Sequence, residues 1–244
     1  MKKQFERTAR LIGTEGVECL QQAHVLLFGV GGVGGYVAEA LARSGIGAFT
    51  LVDNDTVAES NLNRQIIATY ETLGREKTEV MKERILSINP EANIEVRNCF
   101  FLPECADTFD FSKYDYVIDA VDTITAKIEI IMRAKEADVP VISSMGTGNK
   151  LNPAGLMVAD LKQTSVCPLA KVMRRELKKR GIEHVKVVYS KEEPLTLIEE
   201  TEEQAEPVRR KAVPGSLMFV PAAAGILIAS EVVKDLCYKV YINY

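Results

Sequence analysis

An acid, an amide and two cations stand at intervals that suit nucleotide chemistry: Asp53, Asn61, Arg64 and Lys77. The glycine run Gly29-Val30-Gly31-Gly32-Val33-Gly34 precedes them, and Asp122 follows at a distance. Gly29, Gly31, Gly32 and Gly34 let the main chain turn sharply and approach a phosphate, and a helix opening there aims unpaired N–H groups at the anion. A carboxylate at Asp53, on the tip of a strand, accepts hydrogen bonds from ribose hydroxyls. Such a turn belongs by default to a dinucleotide oxidoreductase, and a tight turn with no ligand is the plainest alternative. A neutral nicotinamide half, however, has no use for Arg64 and Lys77. A triphosphate attacked at its α-phosphorus does, because Arg64 can fork onto phosphate oxygens and Lys77 can place a compact charge on the transition state.

These residues need a scaffold of alternating strands and helices. The apolar run from His24 to Gly29 reads as a strand, Tyr36 to Ser44 as a helix, and Phe49 to Asp53 as a second strand. Glu76 to Asn89 has helical period, with Val80, Met81, Ile85 and Ile88 on one face, and Asn89-Pro90 ends it. Asn93 to Arg97 and Tyr114 to Asp119 read as strands, with a short helix over Leu102 to Phe109 between them. Thr123 to Ala137 is helical, Val139 to Ser143 is a strand, and Gly155 to Leu161 is a strand that turns antiparallel. The fold class is α/β: a Rossmann-like, mostly parallel sheet with helices on both faces and an antiparallel extension toward the C-terminal part. Asp122 falls just past the carboxyl end of a strand, where open α/β sheets bind ligands. There it either holds Mg²⁺ against phosphates or caps the following helix.

Residues 4 to 22 read as a helix in two pieces, broken at Gly13, with Arg7 and Arg10 on the first piece. From Pro168 the character changes. Leu169, Val172, Met173 and Leu177 make an apolar stripe, and Lys171, Arg174, Arg175, Lys178, Lys179 and Arg180 surround the single Glu176. This is either a solvated face or a phosphate-backbone surface. Residues 191–207 hold seven glutamates and little apolar period, and are expected to form a mobile loop. Val213 to Lys234 returns to the core through an apolar helix read as buried. The division expected is an ATP-binding core over 1–165, with an extension over 166–244 packed on the same domain.

Composition sets limits. With 47% hydrophobic and 26% charged residues the chain reads as an ordinary globular protein, and 244 residues suffice for one large domain with an appendage. A net charge of −4 makes nucleic-acid binding the business of a local patch. The five cysteines (Cys19, Cys99, Cys105, Cys167, Cys237) form no C-x-x-C pair, which argues against structural zinc and a disulfide framework. The longest apolar run, Leu217 to Ala229, has 13 residues and is too short to span a membrane. Charged residues near the start leave no signal peptide, so a cytoplasmic location is expected. His24 and His184 both sit in strand-like apolar runs, and neither reads as a base or metal ligand.

Gly29 to Gly34, Asp53, Asn61, Arg64, Lys77 and Asp122, in this order, resemble the ubiquitin-activating-enzyme-like superfamily of ATP-dependent adenylating enzymes, over roughly residues 7 to 160. The resemblance implies ATP and Mg²⁺ as cofactors and places Asp55 with the nucleotide-binding residues. It makes Arg64, Lys77 and Asp122 catalytic, with Asp122 on the metal. It also implies a homodimer in which Arg10 reaches the partner subunit's ATP site. Thr8-Ala9-Arg10-Leu11-Ile12-Gly13 and the stretch from Cys167 to Leu177 resemble one branch, the tRNA threonylcarbamoyladenosine dehydratases, in which Lys171, Arg174, Arg175, Lys178 and Lys179 would bind tRNA. That branch usually opens its helix with Asp-Pro-Leu-Ala, and Cys167 stands here in place of the Asp.

The implied reaction is ATP-dependent ring closure of N6-threonylcarbamoyladenosine beside the anticodon. A carboxylate is adenylated, then attacked from within its own molecule, so no cysteine is expected to be catalytic. Adenylation of the C-terminal glycine of a sulfur-carrier or ubiquitin-like protein, with a cysteine desulfurase or sulfur acceptor as partner, is the alternative on the same fold. An NAD-dependent oxidoreductase and a catalytically silent nucleotide sensor are alternatives of other classes.

Overall fold

The computed structural model describes residues 2–198 and 214–241, with side chains to 237. Seven strands pair into one sheet: β1 (His24–Phe28), β2 (Ala48–Val52), β3 (Asn93–Arg97), β4 (Tyr116–Asp119), β5 (Val141–Ser144), β6 (Leu156–Asp160) and β7 (Lys186–Ser190). Their order is β3-β2-β1-β4-β5-β7-β6. All neighbours are parallel except β6 and β7, so the mostly parallel sheet with an antiparallel end is present as expected. The central β4 and β5 are buried at every position, as strands covered on both faces must be; their apolar residues give way to Asp119, Ser143 and Ser144 only at the ends nearest the glycine turn. The edge strand β3 alternates between exposed and half-buried residues.

Six helices cover the sheet: α1 (Glu6–Gln22), α2 (Gly34–Ser44), α3 (Lys77–Ile88), α4 (Ile124–Glu136), α5 (Pro168–Lys178) and α6 (Phe219–Tyr241). α1, α2, α3 and α6 close one face over Val25, Leu27, Phe49, Leu51 and Ile118. α4 and α5 close the other over Leu26, Phe28 and Val117, beside a group of rings from Phe101, Phe109 and Phe111. In α1 the expected break occurs at Gly13, whose φ of +70° lies outside the helical region.

α6 joins the ends of the chain to the core through Val220, Ala224, Ile228 and Val232, a stripe at intervals of four. Each buried Val or Ile contributes about 1.5–3 kcal/mol, so a charge at Ile228 would release the helix. At the edge of the sheet away from the glycine turn, Tyr116 donates to Asp235 at 2.6 Å and Lys186 pairs with the same carboxylate at 2.7 Å. Burial, and next the Asp235 carboxylate, push the Tyr116 phenol up, which keeps it a donor.

Three features differ from the sequence expectation. The strand-like run read around His184 proves to be β7, whose place was not anticipated: it inserts between β5 and β6, so residues beyond 165 lie inside the same sheet as those before it. His184 precedes β7 rather than lying in it; its ring is exposed and meets Asp160 at 3.0 Å. α6 starts at Phe219, and the apolar run is not wholly buried: Leu217, Met218, Phe219 and Ile226 are 45%, 41%, 57% and 53% exposed. A helix laid on one face of a sheet turns a stripe outward whatever residues occupy it. Of the acidic segment, 199–207 lie outside the described residues, as does Val213.

Candidate functional site

Register brings the candidate residues to one edge. Phe28 lies opposite both Val52 and Asp119, so the segments opening at Gly29, Asp53 and Ala120 leave the sheet side by side. Gly29 has φ +87°, and a Cβ there would stand 2.7 Å from the Ala120 carbonyl oxygen. A Cβ on Gly34 would stand 1.8 Å from the Gly29 carbonyl oxygen, so α2 can begin against β1 only with glycine at both positions. Gly31 and Gly32 line the cleft without crowding: a Cβ on Gly31 would meet Gln65 at 3.7 Å, and one on Gly32 would meet Arg64 and Pro221 at 3.5 Å. Asp53 shapes this turn: one carboxylate oxygen accepts from the Val30 N–H at 2.7 Å, the other from the Asp55 N–H at 2.9 Å. Each oxygen keeps a second lone pair for a further donor.

Both predicted cations reach the same cleft. Lys77, the first residue of α3, is 5% exposed and donates to Asp55 at 2.7 Å. Arg64 donates one nitrogen to the Ser60 carbonyl at 2.8 Å and to the Asn63 amide oxygen at 2.9 Å. Asn61 is buried and its amide oxygen caps the turn at the Ala58 N–H, 3.1 Å away. Asp122 is exposed in the cleft wall, and its carboxylate accepts from the Thr123 hydroxyl at 3.4 Å. Thr123, not Asp122, occupies the N-cap of α4, so helix capping does not account for that acid.

The cleft holds about 810 Å³, within the range of small-molecule sites. Gly31, Gly32, Asp53, Arg64, Lys77 and Asp122 line one part of it, and the loop Ser144–Lys150 lines another. A second hollow of about 540 Å³, at Gln4, Phe5, Arg43 and Arg84, has no glycine turn, and its arginines are paired with Glu39.

Sequence reasoning missed four features of the cleft. Gln65, only 7% exposed, has a side-chain oxygen buried without a hydrogen-bond partner. An orphaned acceptor beside the glycine turn is what a polar ligand site presents before its donor arrives. Beneath the cleft, Lys127 and Asp119 are both fully buried and meet at 3.0 Å. The Ser143 hydroxyl donates to the same carboxylate at 2.5 Å, and Lys127 donates to the Val121 carbonyl at 2.9 Å. The segment Pro214–Ser216 is tied to both parts of the cleft: Asn63 donates to the Ser216 carbonyl at 2.9 Å, and Asn149 accepts from the Gly215 N–H at 2.7 Å. Finally, Lys150 lines the cleft while only 4% exposed.

Other predicted residues lie elsewhere. Arg10 is exposed on α1 and does not line the cleft of its own chain. On α5, Arg174 turns inward to the Thr164 carbonyl at 2.6 Å and to its hydroxyl, which corrects its placing on a free cationic face. Arg175, Lys179 and Arg180 gather round Glu176, whose carboxyl Lys179 and then Arg175 pull down to about 2. Lys171 and Lys178 are exposed and make no ion pair among the described residues. Cys167, at the N-cap of α5, does reach the cleft wall, but it is 3% exposed and packed in the apolar cluster of that face. Among the described residues there is no group of three or more His, Cys, Asp or Glu side chains able to hold a metal, and no helix long and apolar enough to cross a membrane.

Comparison with known proteins places this geometry. The family model described as the ThiF family matches residues 5–242. A tRNA threonylcarbamoyladenosine dehydratase of Bacillus subtilis is 42% identical over 100% of this chain and 98% of its own length. One of Escherichia coli is 41% identical over 72% of this chain and 66% of its own. The crystal structure of E. coli tRNA N6-threonylcarbamoyladenosine dehydratase in complex with ATP superposes with a TM-score of 0.87 at 34% identity, covering 99% of this chain and 97% of that one.

Proposed function

This chain belongs to the ThiF family, and on that premise we propose that it catalyses the ATP-dependent dehydration of N6-threonylcarbamoyladenosine beside the tRNA anticodon. The observation that carries the reading is the meeting of Arg64, Lys77 and Asp122 with the turn glycines Gly31 and Gly32 in one cleft. The bacterial relatives named above bear this activity over matching lengths, and the E. coli protein has been captured with ATP.

In this reading Asp53 accepts from the ribose hydroxyls, and the N–H groups of the glycine turn face the phosphates. A threonyl carboxylate oxygen attacks the α-phosphorus; the bond to the bridging oxygen breaks, and pyrophosphate leaves with the electron pair. Arg64 retains donors beyond its two internal contacts and binds phosphate oxygens. Lys77 is held by Asp55 until a more highly charged phosphate competes for it, and then bears on the pentavalent phosphorus. The ureido group of the same substrate next attacks the acyl carbon and gives up a proton, AMP departs and a ring closes, so the net change in the nucleoside is loss of water. Mg²⁺ fits as the partner of Asp122: a single exposed carboxylate supplies one ligand and leaves the rest to phosphate oxygens and water. That ion supplies neutralisation of phosphate charge.

The reading extends to a homodimer in which Arg10 serves the partner subunit's cleft, since it stands clear of its own, and to tRNA contact through Lys171, Arg175, Lys178 and Lys179. Residues 1–165 would carry the nucleotide chemistry and 166–244 the tRNA face, in a cytoplasmic enzyme. The test is incubation with ATP and bulk tRNA, followed by mass spectrometry of the nucleosides. A loss of 18 mass units (roughly one water) from the threonylcarbamoyl nucleoside, with pyrophosphate released only in the presence of modified tRNA, is expected. Pyrophosphate release that depends instead on a small protein ending in Gly-Gly would replace this reading with the sulfur-carrier one.

A further inference from the structure

Three lysines are buried among the described residues: Lys77 at 5%, Lys127 at 0% and Lys150 at 4% exposure. A buried ammonium without a counter-ion is costly, and such groups are nearly always paired. Lys77 has Asp55 and Lys127 has Asp119, each within 3.0 Å. Among the described residues Lys150 has no carboxylate at ion-pair distance: it donates to the Glu192 main-chain carbonyl, and its other two N–H donors find no partner there. The Glu192 carboxylate is turned away to the N–H groups of Leu151, at 2.9 Å, and Asn152, at 2.9 Å; the Leu151 N–H above all holds it below its ordinary value, and Lys150 adds the smallest pull.

The position is built rather than incidental. Asn149, with φ +57°, exchanges hydrogen bonds with Gly215 through its N–H and its side-chain oxygen, both at 2.7 Å. Its carbonyl accepts from the Leu195 N–H at 2.8 Å. Lys150 is therefore fixed from both sides, on the loop that follows β5. The strand order β2-β1-β4-β5 sets that loop at the far end from Asp53, with the glycine turn and Asp122 between them. A nucleotide with its ribose on Asp53 leaves this end for the second reactant.

We propose that Lys150 binds the carboxylate of the substrate, as the counter-ion that the described residues do not supply, and turns one of its oxygens toward the α-phosphorus. The proposal rests on the function given above and adds to it a recognition site for the free acid. It predicts discrimination between the acid and any neutral derivative of it, since a lysine placed for an anion gains nothing from an ester.

The experiment uses full-length protein and two probes: tRNA bearing N6-threonylcarbamoyladenosine, and the same tRNA with the threonyl carboxyl converted to its methyl ester. Binding is measured without turnover, beside ATP affinity, for the parent, Lys150→Met and Lys150→Arg. The parent should prefer the acid by about tenfold or more, as for a charge-assisted contact. Lys150→Met should bind both probes at the ester's level with ATP affinity unchanged, and Lys150→Arg should recover part of the preference. A parent that turns over the modified tRNA but binds acid and ester alike overturns this inference alone, and does so even where no variant folds. Preference retained in Lys150→Met has the same consequence. A parent inactive on the modified tRNA refutes the preceding reading, and this one with it.

Discussion

Removing Lys127 should destabilise the protein more than removing any exposed charge, and the structure says by how much. Its ammonium lies 3.0 and 3.1 Å from the two Asp119 oxygens, and both side chains are fully buried. Lys127→Met keeps the apolar stem but strands the carboxylate, leaving it the Ser143 hydroxyl at 2.5 Å and the Val121 N–H at 3.3 Å. Breaking one partner of such a pair costs about 3–5 kcal/mol. For a chain of this size that corresponds to a fall in Tm of about 6–20 °C. Replacing both partners, as in Asp119→Asn with Lys127→Met, removes the charge that made the single change expensive and should restore about 2 kcal/mol. Urea unfolding followed by far-ultraviolet circular dichroism measures all four proteins of the cycle. A loss under about 1 kcal/mol for Lys127→Met, or a double variant no more stable than the single, would refute the reasoning. Because the pair also holds Val121 beside Asp122, the single variant should need more Mg²⁺ for half-maximal turnover even where it remains folded.

Lys77→Ala should lower turnover by about 10²-fold or more while ATP affinity changes little, because the charge acts on the transition state; unchanged pyrophosphate release would remove Lys77 from that role. Mixing inactive Arg10→Ala with inactive Lys77→Ala protein should restore part of the activity through one intact composite site per mixed dimer. No rescue, despite demonstrated subunit exchange, would confine Arg10 to its own subunit. Lys171→Glu with Lys178→Glu should flatten the salt dependence of tRNA binding by about 0.7–0.9 per lost phosphate contact, whereas Arg174→Ala should change stability more than that slope, since Arg174 is spent on Thr164. Burial opposes ionisation of Glu39, yet Arg84 and Arg43 outweigh it and hold the carboxyl below its ordinary 4.5. A depressed carboxyl stabilises the fold above its unfolded value and loses that contribution as pH falls through the folded one. The difference in urea midpoint between parent and Glu39→Gln should therefore be largest at neutral pH and shrink below about pH 4.5; a constant gap would sink the assignment.

What could be read from the sequence was local. The glycine turn, Asp53 and the two cations lie within one stretch, and the parallel strands flanking it are apolar but for His24 and Thr50, so pattern and spacing reveal both. What escaped depends on contacts across the sheet. Lys127 is eight residues from Asp119, an interval that means nothing until a strand end and a helix face are brought together. β7 is short and follows a loop, and only its insertion between β5 and β6 marks it as central. Gln65 stood in plain view beside Arg64, but burial without a partner is a property of the fold. The same holds for Lys150, whose sequence neighbours say nothing of a missing counter-ion. Arg174 failed in the opposite sense: a helix with six cations looks uniform until one of them finds a carbonyl.

Cys167 decides between the two adenylating chemistries more sharply than the cleft does. A thioester route needs a thiolate, and a thiolate needs a cation or an open helix N-terminus with solvent access. Cys167 has the helix position, at the N-cap of α5, but it is 3% exposed and packed among Leu161, Ala170 and Met173. The nearest arginine in sequence on the same face, Arg174, is committed to Thr164. Burial in that apolar cluster makes it a packing residue. An intramolecular nucleophile has no such difficulty, because the ureido group arrives already joined to the acyl carbon it attacks, at an effective concentration of about 10⁵ M or more. Cys167→Ser should then leave turnover within about threefold of the parent, allowing for a modest cost of placing a hydroxyl in that cluster. Adenylation that proceeds in Cys167→Ser while product formation stops would show that the acyl group passes through sulfur, and would move the protein to the sulfur-carrier side of its family.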